Sequence, residues 1–343
     1  MHHIPGTSAY YRDTRAALAM LFVSLVASFL LFEIITRHIL DDGMHFDLEM
    51  WKYAKDLKRV SEVKGVGHEH WPNRSGTYMG VPVAINSIGL RDGEYPLEKP
   101  SNAVRIIMLG DSLTFGWGVR IEDTPAKKLE RNLNANPTGR AYEVINAGIG
   151  NSNTAMQVAY FLAKGAKLKP DIVVLNYFIN DAEETPRRKT GYLSEYSYAA
   201  VFIAGQIDKL LRLYFSKSNW QEYYTNLYLD TAPGWIIAQS AMKRLIAYCK
   251  QHDIKLLIAH YPELHHLKPY PFAKVTAAVS ALTASNDVPF VDLLPQVADF
   301  EPQSLWVSET DAHSNAKANR AFAKTLQVNL RKAFPALFTE NAS

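Results

Sequence analysis

The stretch Leu109–Gly118, which reads LGDSLTFGWG, follows the short apolar run Val104–Leu109. The run predicts a buried β-strand, and the Gly, Asp and Ser residues after it are typical of a turn. Ser112 is therefore expected where a strand ends, and ligands of open α/β sheets collect at the carboxyl ends of strands. A serine hydroxyl there could act as a nucleophile if a base from elsewhere in the chain reaches it.

Three later segments also place polar groups after a strand or before a helix. Tyr142–Thr154, YEVINAGIGNSNT, is a strand pattern that runs into a Gly/Asn/Ser turn, which could supply a main-chain N–H. Pro170–Asp181 is a β-branched run ending near Asn180, whose amide could donate to a developing negative charge. Thr310–Asn315, TDAHSN, offers a carboxylate and an imidazole before a helical pattern.

This ordered set of blocks resembles the SGNH hydrolases, also called GDSL hydrolases, over roughly Ala103 to Ala333. The resemblance implies a serine nucleophile, a histidine base, an orienting carboxylate and an oxyanion hole. The matching positions are Ser112, His313 and Asp311 for the first three roles, and Ser112 N–H, Gly150 or Asn151 N–H and the Asn180 amide for the hole.

Two of these positions depart from the usual family pattern. In many members the acid stands three residues before the histidine, where this chain has Thr310; Asp311 stands two before, an arrangement found in other members. Counted from Asn146, the family glycine falls on Asn151, with Gly150 one residue earlier. Either residue can donate a main-chain N–H, so both stay candidates.

Composition restricts the class of protein. With 343 residues, 48% hydrophobic and 21% charged, the chain can bury a sizeable core. A net charge of +3 without a run of five like charges gives no indication of nucleic-acid binding. The single Cys249 excludes an internal disulfide and is predicted to be a small buried hydrophobe.

The sequence indicates neither a metal nor a cofactor. Five of the histidines outside the blocks could suggest a metal site, but they lack a cysteine partner and the H-E-x-x-H spacing; they are His68, His70, His260, His265 and His266. His260 ends a predicted strand and could contact substrate. Because no phosphate loop or dinucleotide fingerprint is present, we expect no cofactor and no metal.

The N-terminus predicts a membrane anchor over residues 16–40. Ala16–Phe32 carries no charge and the apolar stretch continues beyond it, long enough for a helix to cross a bilayer. Arg12 and Arg15 precede it, so the positive-inside rule favours a location of residues 1–15 in the cytoplasm and of the catalytic domain in the periplasm. A cleaved signal peptide is the alternative. A bacterial inner-membrane protein with a single span is expected.

The rest of the chain is predicted to form a connecting extension over residues 41–100 and a hydrolase-like domain over 101–343. The extension has helical spacing over Phe46–Val60, and residues 183–233 form an aromatic-rich insertion that could be a lid, a sugar platform, a membrane-facing surface or a self-packed helical hairpin. We expect a flavodoxin-like three-layer α/β/α sandwich with five parallel strands and helices on both faces of the sheet. The strands are predicted near Arg105–Leu109, Tyr142–Asn146, Ile172–Tyr177, Lys255–Ala259 and Phe290–Leu293.

The function expected from these features is serine-dependent hydrolysis of an acyl ester. Location suggests a cell-envelope glycan carrying a small acyl group, such as acetyl, as substrate. Two alternatives stay open: transfer of the acyl group to a sugar hydroxyl, and a non-catalytic docking subunit of a membrane complex. The expected partners are an acylated glycan or small molecule, the membrane and possible membrane proteins, and not nucleic acid.

Overall fold

A computed structural model describes residues 7–135, 139–184, 195–215 and 220–339. The chain forms two compact units: Met1–Trp51 with Lys189–Ser216, and Lys52–Arg188 with Lys217–Ser343. Of the predicted insertion, residues 185–194 and 216–219 lie outside the described residues.

The α-helices are α1 (Thr7–Ile35), α2 (Phe46–Leu57), α3 (Ser112–Phe115), α4 (Pro125–Asn134), α5 (Thr154–Ala163), α6 (Tyr198–Phe215), α7 (Trp220–Asn226), α8 (Pro233–Gln251), α9 (Ala273–Ala284) and α10 (Ala316–Ala333). The strands are β1 (Lys58–Val60), β2 (His68–His70), β3 (Ser75–Tyr78), β4 (Val81–Ala84), β5 (Ala103–Gly110), β6 (Ala141–Gly148), β7 (Ile172–Tyr177), β8 (Lys255–His260), β9 (Phe290–Asp292), β10 (Trp306–Ser308) and β11 (Asp311–Ser314). A π-helical turn covers Thr36–Leu40, and short 3-10 helices cover Ile121–Asp123, Gly165–Leu168, Ile179–Ala182, Leu294–Gln296, Pro302–Leu305 and Pro335–Leu337.

The second unit is built on a five-stranded sheet in the order β6-β5-β7-β8-β9. All four neighbouring pairs are parallel. Every residue of β5 and β7 is buried, as expected for strands covered on both faces. The predicted parallel sheet is confirmed, and each predicted strand overlaps an observed one.

Helices cover both faces of this sheet and give the predicted three layers. One core cluster joins the sheet to α5, α8 and α9, through residues such as Phe161 and Leu245. A second cluster joins the other face to α4 and α10, through residues such as Leu129 and Phe322. Cys249 is buried in the first cluster, as predicted, and burial raises the pKa of its thiol to about 12.

The connecting extension contributes two small antiparallel hairpins to the second unit. β1 pairs with β2, and β3 pairs with β4. The helix predicted over Phe46–Val60 is wrong at its end, because α2 stops at Leu57 and the next three residues pair with His68–His70. Strand pairing with a distant segment therefore overrides the helical spacing.

The first unit contains α1, α6 and residues 46–51 of α2, and the rest of α2 belongs to the second unit. Thr14–Leu40 is long and apolar enough to cross a membrane, judged by length and composition, and its apolar window is not buried by protein. The same test is passed by signal sequences, so the finding supports an N-terminal membrane segment without separating the two. The predicted aromatic insertion is divided: α6 belongs to this unit and α7 to the other.

Candidate active site

Ser112 lies directly beyond the central strand β5, at the first residue of the four-residue helix α3. Asp111 precedes it as the N-cap residue, and its Oδ1 accepts a hydrogen bond from Leu113 N at 2.9 Å. Gly116 ends α3 with a left-handed φ of 83°. The strand-to-helix turn predicted from LGDSLTFGWG is therefore short and tightly defined, and it sets the Ser112 hydroxyl at the carboxyl edge of the sheet.

The structure brings Ser112, His313 and Asp311 together. Ser112 Oγ lies 2.8 Å from His313 Nε2, and His313 Nδ1 lies 2.5 Å from Asp311 Oδ1. Asp311 and His313 both belong to β11, where residues two apart point to the same side of the strand. This explains how an acid two residues before the histidine can reach its ring. Glu309 is exposed to solvent.

Trp117 completes this hydrogen-bonded row, which the sequence analysis did not foresee. Its indole Nε1 donates to Asp311 Oδ2 at 2.9 Å, so both carboxylate oxygens of Asp311 are engaged. Trp117 stands in the quoted decapeptide, and a buried tryptophan needs a partner for its N–H. This requirement could have indicated from the sequence that Trp117 has a hydrogen-bond acceptor. The acceptor itself could not be identified, because it lies almost two hundred residues later in the chain.

The electrostatics of the pair favour a charged imidazole beside a charged carboxylate. Burial alone would lower the pKa of His313, but the hydrogen bond and charge of Asp311, together with the charge of Asp111, raise it above 6.5. Burial would raise the pKa of Asp311, but hydrogen bonds from His313 and Trp117 and the imidazolium charge lower it below 3.8. Asp311 thus stays ionised beside the His313 ring.

A second buried carboxyl group, Asp181, lies near Asp111 beneath the same edge. Asp181 accepts hydrogen bonds from Phe178 N at 2.7 Å and Gln157 Nε2 at 2.9 Å. Burial and the neighbouring Asp111 charge raise the pKa of Asp181 well above its usual range. Burial also raises the pKa of Asp111, although the approach of the Asn180 side chain opposes this change.

The turn after β6 lies level with the nucleophile turn because of the strand register. Gly110 of β5 pairs with Gly148 of β6, and Ile149 N donates to Gly110 O at 3.1 Å. A Cβ on Gly148 would come within 2.1 Å of Phe115 N, so only glycine permits β6 to approach α3 this closely. Ser112 and the Gly150-Asn151 turn therefore share one edge of the sheet.

The two candidate main-chain donors in this turn differ in their surroundings. Gly150 N–H is directed at the Tyr53 hydroxyl oxygen, 3.2 Å away. Asn151 is exposed and has a left-handed φ of 59°. Gly150 N–H therefore already has a protein acceptor.

The connecting extension also contacts the carbonyl of Gly150. Lys58 Nζ and His68 Nε2 each lie 3.0 Å from Gly150 O, and both donate to it. Burial lowers the pKa of Lys58 to about 7, and burial with the Lys58 charge lowers that of His68 to about 4. Gly150 is therefore held at both main-chain groups: its C=O by Lys58 and His68, and its N–H by Tyr53.

Arg91 supports the nucleophile turn from the same extension. Its guanidinium is buried and donates to Phe115 O at 3.1 Å, Gly116 O at 2.5 Å and Val119 O at 2.7 Å. Phe115 O is the last carbonyl of α3, where intrahelical donors are lacking, and Gly116 O and Val119 O belong to the loop that follows. The extension is thus bonded to both loops of the candidate site.

The remaining polar residues of the sequence analysis fall in different places. Asn180 lies in the 3-10 helix Ile179–Ala182, directly after β7. His260 is fully buried at the end of β8 and stacks on Tyr177, with ring centroids 6.1 Å apart, so it is a packing residue and not a substrate contact. Within the described part of the chain, no three His, Cys, Asp or Glu side chains form a group that could hold a metal ion.

The fold and the site together define a hydrolase-like α/β protein with a serine, a histidine and an aspartate in hydrogen-bond contact. Residues 108–321, more than half of the chain, match the sequence pattern of the GDSL-like lipase/acylhydrolase family. The chain belongs to this family. No curated protein sequence matches the chain.

Solved structures with a similar fold include three at low sequence identity. A catalytic mutant of Axe2, an acetylxylan esterase from Geobacillus stearothermophilus, is 15% identical, with a TM-score of 0.45 and coverage of 68% of this chain and 96% of that one. TesA is 16% identical, with a TM-score of 0.44 and coverage of 66% and 98%. A GDSL-like lipase from Bacteroides thetaiotaomicron VPI-5482 is 14% identical, with a TM-score of 0.39 and coverage of 67% and 89%.

Proposed function

We propose that the protein is a serine-dependent acyl-ester hydrolase with Ser112 as nucleophile, His313 as general base and Asp311 as the orienting carboxylate. The observation that carries this proposal is the continuous contact from Ser112 Oγ through the His313 ring to Asp311. A serine hydroxyl is a weak nucleophile unless a positioned base takes its proton, and this row supplies both the base and the group that fixes its tautomer.

The proposed reaction begins with attack of Ser112 Oγ on the ester carbonyl while His313 Nε2 takes the hydroxyl proton. The tetrahedral oxyanion accepts hydrogen bonds from Ser112 N–H, Asn151 N–H and the Asn180 amide. Each such donor lowers the barrier by about 3 kcal/mol. Gly150 is left out of this set because its N–H already donates to Tyr53.

The intermediate then collapses, and His313 returns the proton to the leaving alcohol. An acyl ester on Ser112 remains. Water attacks this ester as His313 takes one of its protons, and the carboxylic acid leaves as Ser112 Oγ regains its proton. Asp311 stabilises the imidazolium formed in both halves of the reaction.

For the substrate, we propose a small acyl group such as acetyl on a cell-envelope glycan. The apolar segment Thr14–Leu40 supports an N-terminal membrane segment, which we propose to be an uncleaved single-pass anchor, and Arg12 and Arg15 before it support a periplasmic catalytic domain. Membrane anchorage of this kind would bring the enzyme close to envelope polymers.

An aromatic group in the second unit also supports a sugar ligand. The His265 ring lies between Trp220 and Trp306, with centroids 5.5 and 4.8 Å away. Trp306 belongs to β10, which pairs with the strand that carries His313. Aromatic rings with a polar edge suit a ligand that is partly apolar and partly hydroxylated.

Labelling of the full-length protein in membranes with a fluorophosphonate probe tests the nucleophile. We expect one modified residue, Ser112, and no labelling of Ser112→Ala. Ser314→Ala is the matched control, because Ser314 is a buried serine of β11 that bonds Asn319; it should label like the unaltered protein. Labelling that persists in Ser112→Ala would refute the assignment.

Incubation of the same membranes with acetylated envelope glycan tests the substrate. We expect release of free acetate that depends on Ser112. Acetate retained on a second sugar would indicate a transferase, and absence of both labelling and acetate release would indicate a non-catalytic docking subunit. Protease added outside spheroplasts should cleave the catalytic domain if it is periplasmic.

A further inference from the structure

The outward face of α6 carries a stripe of large aliphatic side chains. Ile203, Ile207, Leu210 and Leu211 are 39%, 50%, 53% and 51% exposed, respectively. Their spacing of four, seven and eight residues places them on one side of the helix. A contiguous apolar stripe of this kind is uncommon on a surface that faces only water.

The opposite face of α6 is already occupied by its own unit. The Phe202 ring lies 6.1 Å from Phe32 and 5.1 Å from His45, measured between centroids. Lys209 Nζ lies 3.3 Å from Asp47. The helix is therefore held by its inner side, and this attachment leaves the aliphatic stripe turned outward.

The first turn of α6 is fixed to α1 by Glu33. The Glu33 carboxylate accepts hydrogen bonds from Ala199 N at 2.8 Å, Tyr198 N at 3.1 Å and Ser197 Oγ at 2.7 Å, and it also pairs with Arg37 at 2.6 Å. The first N–H groups of a helix lack intrahelical partners, and negative charge is favourable there. Glu33, the one acidic residue of the α1 sequence from Thr14 to Ile35, thus fixes the start of α6 beside the last turns of α1.

This attachment places the first turn of α6 beside the last turns of α1. On the turns around Glu33, α1 exposes Leu30 and Ile34, each 57% exposed. Both helices of this unit therefore present large aliphatic side chains that are 39–57% exposed. A bilayer that receives α1 would offer acyl chains to the stripe at the same level.

We propose that α6 lies along the membrane surface beside the end of α1, with Ile203, Ile207, Leu210 and Leu211 in the acyl-chain boundary. The ligand is the lipid bilayer itself, and the inference rests on the membrane anchoring proposed above. An amphipathic helix at this position buries its apolar face roughly 5–10 Å into the headgroup and acyl boundary. The anchor then consists of the spanning helix α1 and the surface helix α6, joined by Glu33. Removal of α1 as a signal peptide would leave the N-terminus of α6 without its Glu33 cap.

Quenching by spin-labelled lipid tests this arrangement in full-length protein reconstituted into nanodiscs. A fluorophore is attached at Ile207→Cys on the stripe, at Lys209→Cys on the inner side, and at Leu25→Cys within α1. The unaltered chain is the labelling blank, because Cys249 is buried. Lys209 is a fair control since its ion pair with Asp47 is partly exposed and contributes little.

We expect a nitroxide near the top of the acyl chain to quench the label at Ile207→Cys at least about twofold more than the label at Lys209→Cys. Equal weak quenching at both, with Leu25→Cys strongly quenched by a deep nitroxide, would overturn the surface helix but keep the anchor. No quenching at Leu25→Cys would overturn both. A label at Ile207→Cys that is shielded from water but insensitive to nitroxide lipid would indicate a protein partner or second copy, and would also overturn the proposal.

Glu33→Gln tests the joint between the helices without removing an apolar side chain. Its amide keeps the shape of Glu33 but loses the charge that two main-chain N–H groups and Arg37 share. We expect quenching at Ile207→Cys to fall in this background while that at Leu25→Cys stays the same. Unchanged quenching at Ile207→Cys would refute the role of Glu33.

Discussion

Tyr53 and Gly150, which are ninety-seven residues apart, are joined by a hydrogen bond from Gly150 N to the Tyr53 hydroxyl oxygen at 3.2 Å. The hydroxyl proton points onward to His70 Nε2 at 2.6 Å, and His70 Nδ1 lies 3.2 Å from Gly89 O. Burial lowers the pKa of His70 to about 3, so the ring is neutral and carries its proton on Nδ1. The three hydrogen bonds therefore run in one direction, from the Gly150-Asn151 turn into the extension.

Replacement of Tyr53 by Phe should weaken catalysis more than substrate binding. The change leaves Gly150 N–H and His70 Nε2 without partners in a buried place, where a lost hydrogen bond costs about 1–3 kcal/mol. A shift of this turn would displace Asn151 N–H, the proposed oxyanion donor, and we expect kcat for an aryl acetate to fall by about tenfold with KM nearly constant.

The matched control for Tyr53→Phe is Tyr142→Phe. Tyr142 is also buried, and its hydroxyl donates to Leu337 O at 3.3 Å on another part of the sheet. It should lower the melting temperature without changing kcat. Equal kcat values for the two variants would show that Tyr53 has no positioning role.

Asp311→Asn should lower kcat by on the order of a thousandfold or more at neutral pH, because an amide can stabilise the wrong imidazole tautomer. Steady-state hydrolysis of a short-chain aryl ester measures the effect. Glu309→Gln is the control on the adjoining loop, where Glu309 is exposed. An unchanged rate in Asp311→Asn with an inactive Glu309→Gln would move the orienting role to Glu309.

The dependence of kcat/KM on pH should report His313. The base must be neutral to accept the Ser112 proton, so activity falls as the pH drops through the His313 pKa. Because Asp311 and Asp111 outweigh burial and raise this pKa, the midpoint of the acidic limb should lie above 6.5. In Asp311→Asn the imidazolium loses the carboxylate that stabilises it, while burial still lowers the pKa of His313. The midpoint of the residual activity should therefore move to lower pH. A midpoint that stays in place would disprove the coupling.

Gly148→Ala should destabilise the second unit by about 1–3 kcal/mol or more, which is typical of overpacking in a core that cannot relax. The added Cβ would meet main-chain atoms of Phe115 and Thr114, at 2.1 and 2.6 Å, which cannot rotate away. Gly93→Ala is the control, since a Cβ there meets nothing within 4 Å. Urea denaturation measures both, and similar midpoints would contradict the close approach.

Much of the fold follows from local pattern. Apolar runs such as Ile172–Tyr177 are buried on both faces, and alternation of these runs with helical segments predicts a parallel sheet covered by helices. Ser112, Asn180 and His313 were named as site residues because each follows a strand or precedes a helix, and the carboxyl ends of parallel strands meet at one edge. The end of α2 was missed because β1 pairs with a segment ten residues away.

The sequence by itself determined the sheet, its covering helices, the order of the blocks and the apolar N-terminal segment, since each is written in neighbouring residues. Tertiary structure alone decided that Tyr53 occupies Gly150 N–H, that Trp117 bonds Asp311, and that Glu33 begins α6. These contacts join residues about one to two hundred positions apart. The packing of whole helices and strands decides which groups meet in these contacts. The residues next to a side chain in sequence do not indicate which distant group will form its hydrogen bond once water is excluded.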